Sequence, residues 1–173
     1  IQFLKFEDGN PVSHNTIKSI YQDREGRMWV GMLRKGAAVF TGVGFDFFNA
    51  RQGLLSDNIN AIVQDNRGRL WFGTTDGISI YDGKSFTNLT TRNGLSDNHI
   101  TDLKKDKEGV IWIATLNGVN RWASDSIVNY FADDGLKSSI VYHINIADNG
   151  NIYFSTQRGL SVYDGKIFSS HTE

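Results

Sequence analysis

Eight polar side chains in this sequence are of types that grip a small polar molecule: Arg34, Lys35, Asn58, Asp76, His99, Asn117, Gln157 and Arg158. Guanidinium and ammonium groups pair with acidic substituents, and Asn and Gln amides bond hydroxyls, so the set suits a ligand rich in both. The histidines give a weaker signal. His14, His99 and His143 precede Trp29, Trp112 and Tyr153 by 15, 13 and 10 residues, and His171 lies near the end of the sequence. A metal site built by a repeat would place them equivalently, so no metal is expected. Asp23, Asp65 and Asp106 each have a glycine three residues on. That is turn chemistry, because a calcium loop packs several oxygen ligands into about 12 residues. There is no GxSxG, HExxH or glycine-rich phosphate loop, and with no cysteine there is no thiolate ligand or nucleophile. A carboxylate pair for glycoside hydrolysis could come from any two distant segments, but nothing marks one. No catalytic residue and no cofactor are expected.

What must position these side chains is a repeat. Trp29, Trp71, Trp112 and Tyr153 are spaced by 42, 41 and 41 residues, each three after a glycine and two before Gly31, Gly73, Ala114 or Ser155. Gly36, Gly77, Gly118 and Gly159 fall into register behind them, then Phe40, Tyr81, Trp122 and Tyr163, then Phe45, Phe86, Ile127 and Phe168. Self-similarity at this period is the sequence signature of a propeller or solenoid. The composition agrees: 173 residues with 18 Gly, one Pro, 4 Trp and 11 Phe suit short aromatic strands between tight turns. A net charge of −1 with dispersed basic residues excludes the electrostatic footprint of a nucleic-acid binder, and no apolar run reaches membrane-spanning length.

The second unit shows the local pattern. Ile59 to Asp65 is β-prone, Asp65 to Gly68 is a turn, and Leu70 to Thr74 returns. Thr75-Asp76-Gly77 turns into Ile78 to Tyr81, and Asp82-Gly83 predicts a two-residue type I′ hairpin into Ser85 to Thr90. Four antiparallel strands in about 41 residues make one propeller blade. The aromatic and glycine columns read as core and turns rather than as a ligand platform.

These residues resemble a known family. Gly94-Leu-Ser-Asp-Asn98, Asp106, Gly109, Trp112, Ala114-Thr115 and Asn117-Gly118 are similar to the two-component regulator propeller repeat, as are Leu55 to Asn58, Asp65, Gly68, Leu70-Trp71, Gly73-Thr74, Gly77, Tyr81-Asp-Gly83 and Phe86. The first, third and fourth units depart from the pattern, with Thr41 to Gly44 and Ala123-Ser124 in place of the Asp-Gly turn, and Ala147 and Tyr153 in the Asp and Trp columns. The resemblance implies the periplasmic sensor part of a bacterial hybrid histidine kinase, a ligand such as an oligosaccharide, and a kinase on the same polypeptide. It also implies rings of about seven blades.

The resulting expectation is an all-β chain of four four-stranded antiparallel blades, at 9–52, 53–93, 94–134 and 135–173, with residues 1–8 the last strand of a preceding blade. Because Lys166 to Thr172 supplies the final unit with its own fourth strand, the segment reads as an excerpt of a larger ring. Its open faces would favour homo-oligomers, detectable by light scattering. The loop leading into each inner strand and the loop between the second and third strands should open on one face around the channel. The eight polar residues lie in those loops, which vary between units. Free drift of surface loops would give the same variation. A propeller lyase or glycosidase, and a protein-interaction scaffold, are the competing functions. Titration with oligosaccharides and assay for product release would separate them.

Overall fold

In the computed structural model the described residues are 12 and 15–170. The strand expected over 1–8, as well as His14 and His171, lie outside them. Four sheets of four antiparallel strands follow one another in chain order. The first comprises β1 (Ile17–Gln22), β2 (Met28–Met32), β3 (Ala37–Phe40) and β4 (Phe45–Phe48), and the second β5 (Ile59–Gln64), β6 (Leu70–Thr74), β7 (Ile78–Tyr81) and β8 (Phe86–Leu89). The third comprises β9 (Ile100–Lys105), β10 (Ile111–Thr115), β11 (Gly118–Ala123) and β12 (Ser126–Tyr130). The fourth comprises β13 (Val141–Ile146), β14 (Ile152–Thr156), β15 (Gly159–Tyr163) and β16 (Phe168–Ser170). The innermost strands β1, β5, β9 and β13 pack in succession, which makes these sheets the blades of a propeller.

Strand periodicity explains why the blades stack. Alternate residues point to opposite faces, so Trp29, Ala37 and Val39 of one blade meet Ile59, Ile62, Leu70 and Phe72 of the next. Trp71, Ile78 and Ile80 meet Ile100, Leu103, Ile111 and Ile113 in the same way, and Trp112, Ala114 and Val119 meet Val141, Ile144, Ile152 and Phe154. All three indoles are essentially inaccessible. At about 25 cal/mol per Å2, burying one contributes roughly 4–6 kcal/mol of transfer free energy, an upper bound. Gly73 shows why a small residue follows each Trp, since a Cβ there would lie 2.7 Å from Ile100 Cγ2 across the junction. The outward face of the first blade instead leaves Ile20 66% exposed, where its equivalents Ile62, Leu103 and Ile144 are buried.

Blades are joined by short 3-10 turns, Ala50–Gln52, Thr91–Asn93 and Ala132–Asp134, each ending on a left-handed glycine and followed by buried Leu54, Leu95 or Leu136. Asp57 Oδ1, Asn98 Oδ1 and Ser139 Oγ accept from the first amide of these turns, at Ala50, Thr91 and Ala132. Ser56 Oγ, Asp97 Oδ1 and Ser138 Oγ accept from the amide two residues later. The Leu-Ser-Asp-Asn letters of the second unit are therefore displaced by one residue from those of the third. Each position demands a hydrogen-bond acceptor, not a particular side chain.

The hairpin at Asp82-Gly83 is not the two-residue type I′ turn the sequence predicts. Tyr81 pairs with Phe86, so four residues make the connection, and Gly83 alone among them has positive φ. Asp82 Oδ1 instead caps the amides of Lys84 and Ser85, each at 2.8 Å. The two-residue turn occurs in the third blade, where Ala123 pairs with Ser126 and both Ser124 (φ 49°) and Asp125 (φ 59°) are left-handed. Arg67 of the preceding blade holds Asp125 in a two-pronged ion pair, at 3.2 and 2.8 Å.

Candidate functional site

Every inner strand carries a register shift near its start, between Ile17 and Ser19, Ile59 and Ala61, Ile100 and Asp102, and Val141 and His143. One residue is left over in each, and the four bulged residues are Lys18, Asn60, Thr101 and Tyr142. Bulges re-aim side chains and gather next to binding sites. Here they line the channel mouth, a cavity of about 350 Å3, together with His99, Leu116 and His143. A second cavity of about 350 Å3 continues along the inner strands, walled in part by Lys18, Asn60, Thr101, Asp102, Lys104 and His143.

Two of the bulged side chains hold blades together. Asn60 Nδ2 donates to the Ile100 carbonyl at 2.7 Å, and Thr101 Oγ1 to the Val141 carbonyl at 2.8 Å, each reaching the next blade. Asp102 adds a third tie, accepting from the Ile144 amide at 2.9 Å. The side chains of Lys18, Tyr142, His99 and His143 make no hydrogen bond to a described residue and are available to a ligand. No carboxylate is among the residues lining the mouth. An ammonium, two imidazoles, a phenol and two amide or hydroxyl groups over a partly apolar floor would hold a polar, hydroxyl-bearing or anionic molecule.

The two loop classes do share one face. Arg34 N donates to Asn58 Oδ1 at 2.9 Å, Gly36 N to the Asp57 carbonyl and Gly118 N to the Ser139 carbonyl, so in the first and third blades the loop between second and third strands leans on the next blade's leading loop. Leu116 N bonds the His99 carbonyl, which joins that face to the mouth. Of the eight residues singled out in the sequence, His99 lines this cavity. Arg34 sits beside Asn58 with φ 63°, while Asp76, Asn117 and Arg158 hydrogen-bond through their amides to Thr74, Thr115 and Thr156, and Gln157 through its amide to Ile140. These loops, like Lys35 between Arg34 and Gly36, form the rim rather than one cluster. Sequence reasoning passed over the bulge column, whose signal is a polar or bulky residue directly after Ile17 and its buried equivalents Ile59, Ile100 and Val141. It also set the histidines aside as metal ligands for want of a shared column, and kept only His99 as a ligand contact. His99 and His143 nevertheless meet in one cavity, because they come from neighbouring blades at different heights.

At the opposite end of each inner strand the aspartate column forms a different device. Asp65 Oδ1 accepts from the amides of Arg67 and Arg69, and Oδ2 from Arg69 Nε at 2.7 Å and Trp71 Nε1 at 3.0 Å. Asp23 repeats this with Arg27 and Trp29. Burial pushes both carboxyls up, but the indole and guanidinium hydrogen bonds outweigh it and hold both below the usual carboxylate range. These carboxylates fasten turns to the core, as the sequence implied.

The sequence model of the two component regulator propeller family matches residues 11–34, 53–76 and 94–117. No curated protein matches the chain. Among solved structures, the chain is similar to the extracellular domain of a putative hybrid two-component system from B. thetaiotaomicron, with a TM-score of 0.86 and 24% identity over 98% of this chain and 24% of that one. A second such domain from the same organism gives 0.82 and 20% over 100% and 26%. Virginiamycin B lyase from Staphylococcus aureus gives 0.75 and 13% over 99% and 59%. At these identities the likeness establishes the propeller fold, and the chain spans about a quarter of the length of the two-component domains.

Proposed function

The chain belongs to the two-component regulator propeller family, and on that premise we propose that it is the ligand-binding part of an extracytoplasmic, periplasmic sensor of a hybrid two-component system, taking a carbohydrate at the channel mouth. The observation that carries this reading is the ring of bulges. A repeat that keeps its core and turns nearly constant places Lys18, Asn60, Thr101 and Tyr142, four unlike side chains, at one equivalent position around the channel. Hydroxyls of a sugar would bond Asn60, Thr101 and the imidazoles, a ring face would rest on Tyr142, and an acidic substituent would pair with Lys18. The kinase of the same polypeptide is the partner, and ligand capture would reach it through the packing of one blade on the next.

Titration of the chain with a panel of neutral and acidic oligosaccharides, followed by Lys18→Ala and Tyr142→Ala, tests this. One sugar class should bind, and each substitution should weaken it about tenfold, the loss of one well-placed polar contact. Affinity unchanged in both variants would sink the assignment of the mouth.

A propeller lyase is the second reading, favoured by the meeting of His99 and His143 in one cavity, where an imidazole could take up a proton. Release of product from a bound oligosaccharide, lost in His99→Ala or His143→Ala, would decide for it.

A further inference from the structure

In the first two blades the aspartate column holds a cation. Arg27 Nε lies 2.7 Å from Asp23 Oδ2 with its guanidinium 5.8 Å from the centre of the Trp29 ring, and Arg69 lies 2.7 Å from Asp65 Oδ2 and 5.9 Å from the centre of Trp71. The arrangement joins a charge-assisted hydrogen bond to a cation–π contact. The third blade keeps the carboxylate and the indole, with Trp112 Nε1 donating to Asp106 Oδ2 at 2.8 Å and the Val110 amide to Oδ1. Its arginine position, however, is Val110. Asp106 Oδ2 thus lacks the guanidinium donor its two equivalents have, and Asp106 is half-buried where Asp23 and Asp65 are 5% exposed.

The seat opens into a groove of about 460 Å3 between the third and fourth blades, on the end of the channel away from the mouth. Tyr163 and Tyr130 pack 5.3 and 6.3 Å from the buried Trp112 ring and line the groove beside it. Glu108 and Asp164 line the same groove. Arg121, directly across the strand pair from Trp112, enters it too but makes no ion pair with Asp106. The groove between the first two blades is of similar size, about 430 Å3, but has Arg27 in its wall.

We propose that the groove between the third and fourth blades binds a ligand cation, a guanidinium or a primary ammonium, on the half-buried Asp106 carboxylate, beside the edge of the buried Trp112 ring that bonds the same oxygen. The ligand group takes the place that Arg27 and Arg69 fill in the sister blades. An amino sugar and an arginine- or lysine-bearing peptide both carry this chemistry.

The test follows the indole N–H resonances of the nitrogen-15-labelled chain during titration with Gly-Arg-Gly, with its neutral citrulline analogue, with glucosamine and with N-acetylglucosamine. The Trp112 resonance should move saturably with the arginine peptide, with glucosamine or with both, which identifies the source, and each neutral counterpart should bind at least tenfold more weakly. Val110→Arg, which supplies the sister blades' own residue, should abolish the response. Arg121→Ala, which removes a like charge, should tighten binding roughly threefold. Equal binding of the neutral analogues, no response to either cation, or unchanged binding in a Val110→Arg chain with native Trp29 and Trp71 resonances would overturn the proposal. So would loss of binding in Arg121→Ala, which would mean that the groove recognises an anion through that arginine.

Discussion

Replacing Asp65 by Ala removes the acceptor for four donors at once, the amides of Arg67 and Arg69, Arg69 Nε and Trp71 Nε1. The guanidinium, on a partly exposed side chain, turns to water at little cost. The indole N–H cannot, because Trp71 is sealed between blades. A buried donor left unpaired costs about 1–3 kcal/mol, and the two turn amides that lose their acceptor add a further fraction, so Asp65→Ala should destabilise by about 2–4 kcal/mol. The fourth blade already contains the compensated form, with Ala147 and Tyr153 in the two columns. In the Asp65→Ala background, Trp71→Phe should therefore cost less than it does alone, with a coupling of about 1–2 kcal/mol. Urea unfolding of the four chains of this cycle measures it. A cost below about 0.5 kcal/mol for Asp65→Ala, or additivity of the two substitutions, would refute the view that the carboxylate satisfies the buried indole.

The same carboxylates set a pH dependence. Asp23 and Asp65 titrate lower in the folded chain than the roughly 3.9 of an unfolded aspartate, so the unfolded state takes up protons first on acidification. Their stabilisation should be complete above about pH 5 and decline as pH falls through 4 toward the depressed folded values, and the decline should be shallower in Asp65→Ala. Ser124→Gly relieves a left-handed non-glycine residue (φ 49°) and should stabilise by about 0.5 kcal/mol net of the added freedom of the unfolded chain, read as a rise in the urea midpoint. Gly73→Ala places a Cβ 2.7 Å from Ile100 Cγ2 and 3.2 Å from Leu103, and should cost about 1–3 kcal/mol by overpacking in the same assay.

Much of the architecture was legible because it is written four times. The strands Leu70–Thr74 and Ile78–Tyr81 begin and end where alternation and turn residues put them, and the Trp column is the core between blades. Hairpins were less legible. Ser124 and Asp125 adopt the turn that Asp82-Gly83 advertises, since the register of the flanking pair, Ala123 with Ser126, leaves only two residues to close it. The leading loops deceived for a different reason. Their acceptor positions take Ser, Asp or Asn interchangeably, so matching letters hid a one-residue displacement. The channel mouth was legible only in outline. Periodicity identifies the loops, but a bulge adds a residue without changing the repeat length, so Lys18, Asn60, Thr101 and Tyr142 look like ordinary strand positions. Residues brought together from adjacent blades, such as His99 and His143, have no linear spacing to betray them.

The junctions between blades have a bearing on how such a chain can change over generations. Each of the first three blades presents an indole to the next blade, which meets it with an Ile, Leu, Val or Phe surface, and the ties reach forward by about 40 residues, as Asn60 does to Ile100 and Thr101 to Val141. A duplicated stretch of one repeat brings its own knob and its own socket, so it can be spliced between existing blades without redesigning either neighbour. Deletion of one repeat leaves two surfaces that still match. Growth and loss by whole units are therefore nearly neutral for packing, whereas insertion of a few residues within a unit would break the register of every tie downstream of it in that blade. Variation within a blade is left to single side chains on the bulges and rims, the part of the molecule that meets the solvent.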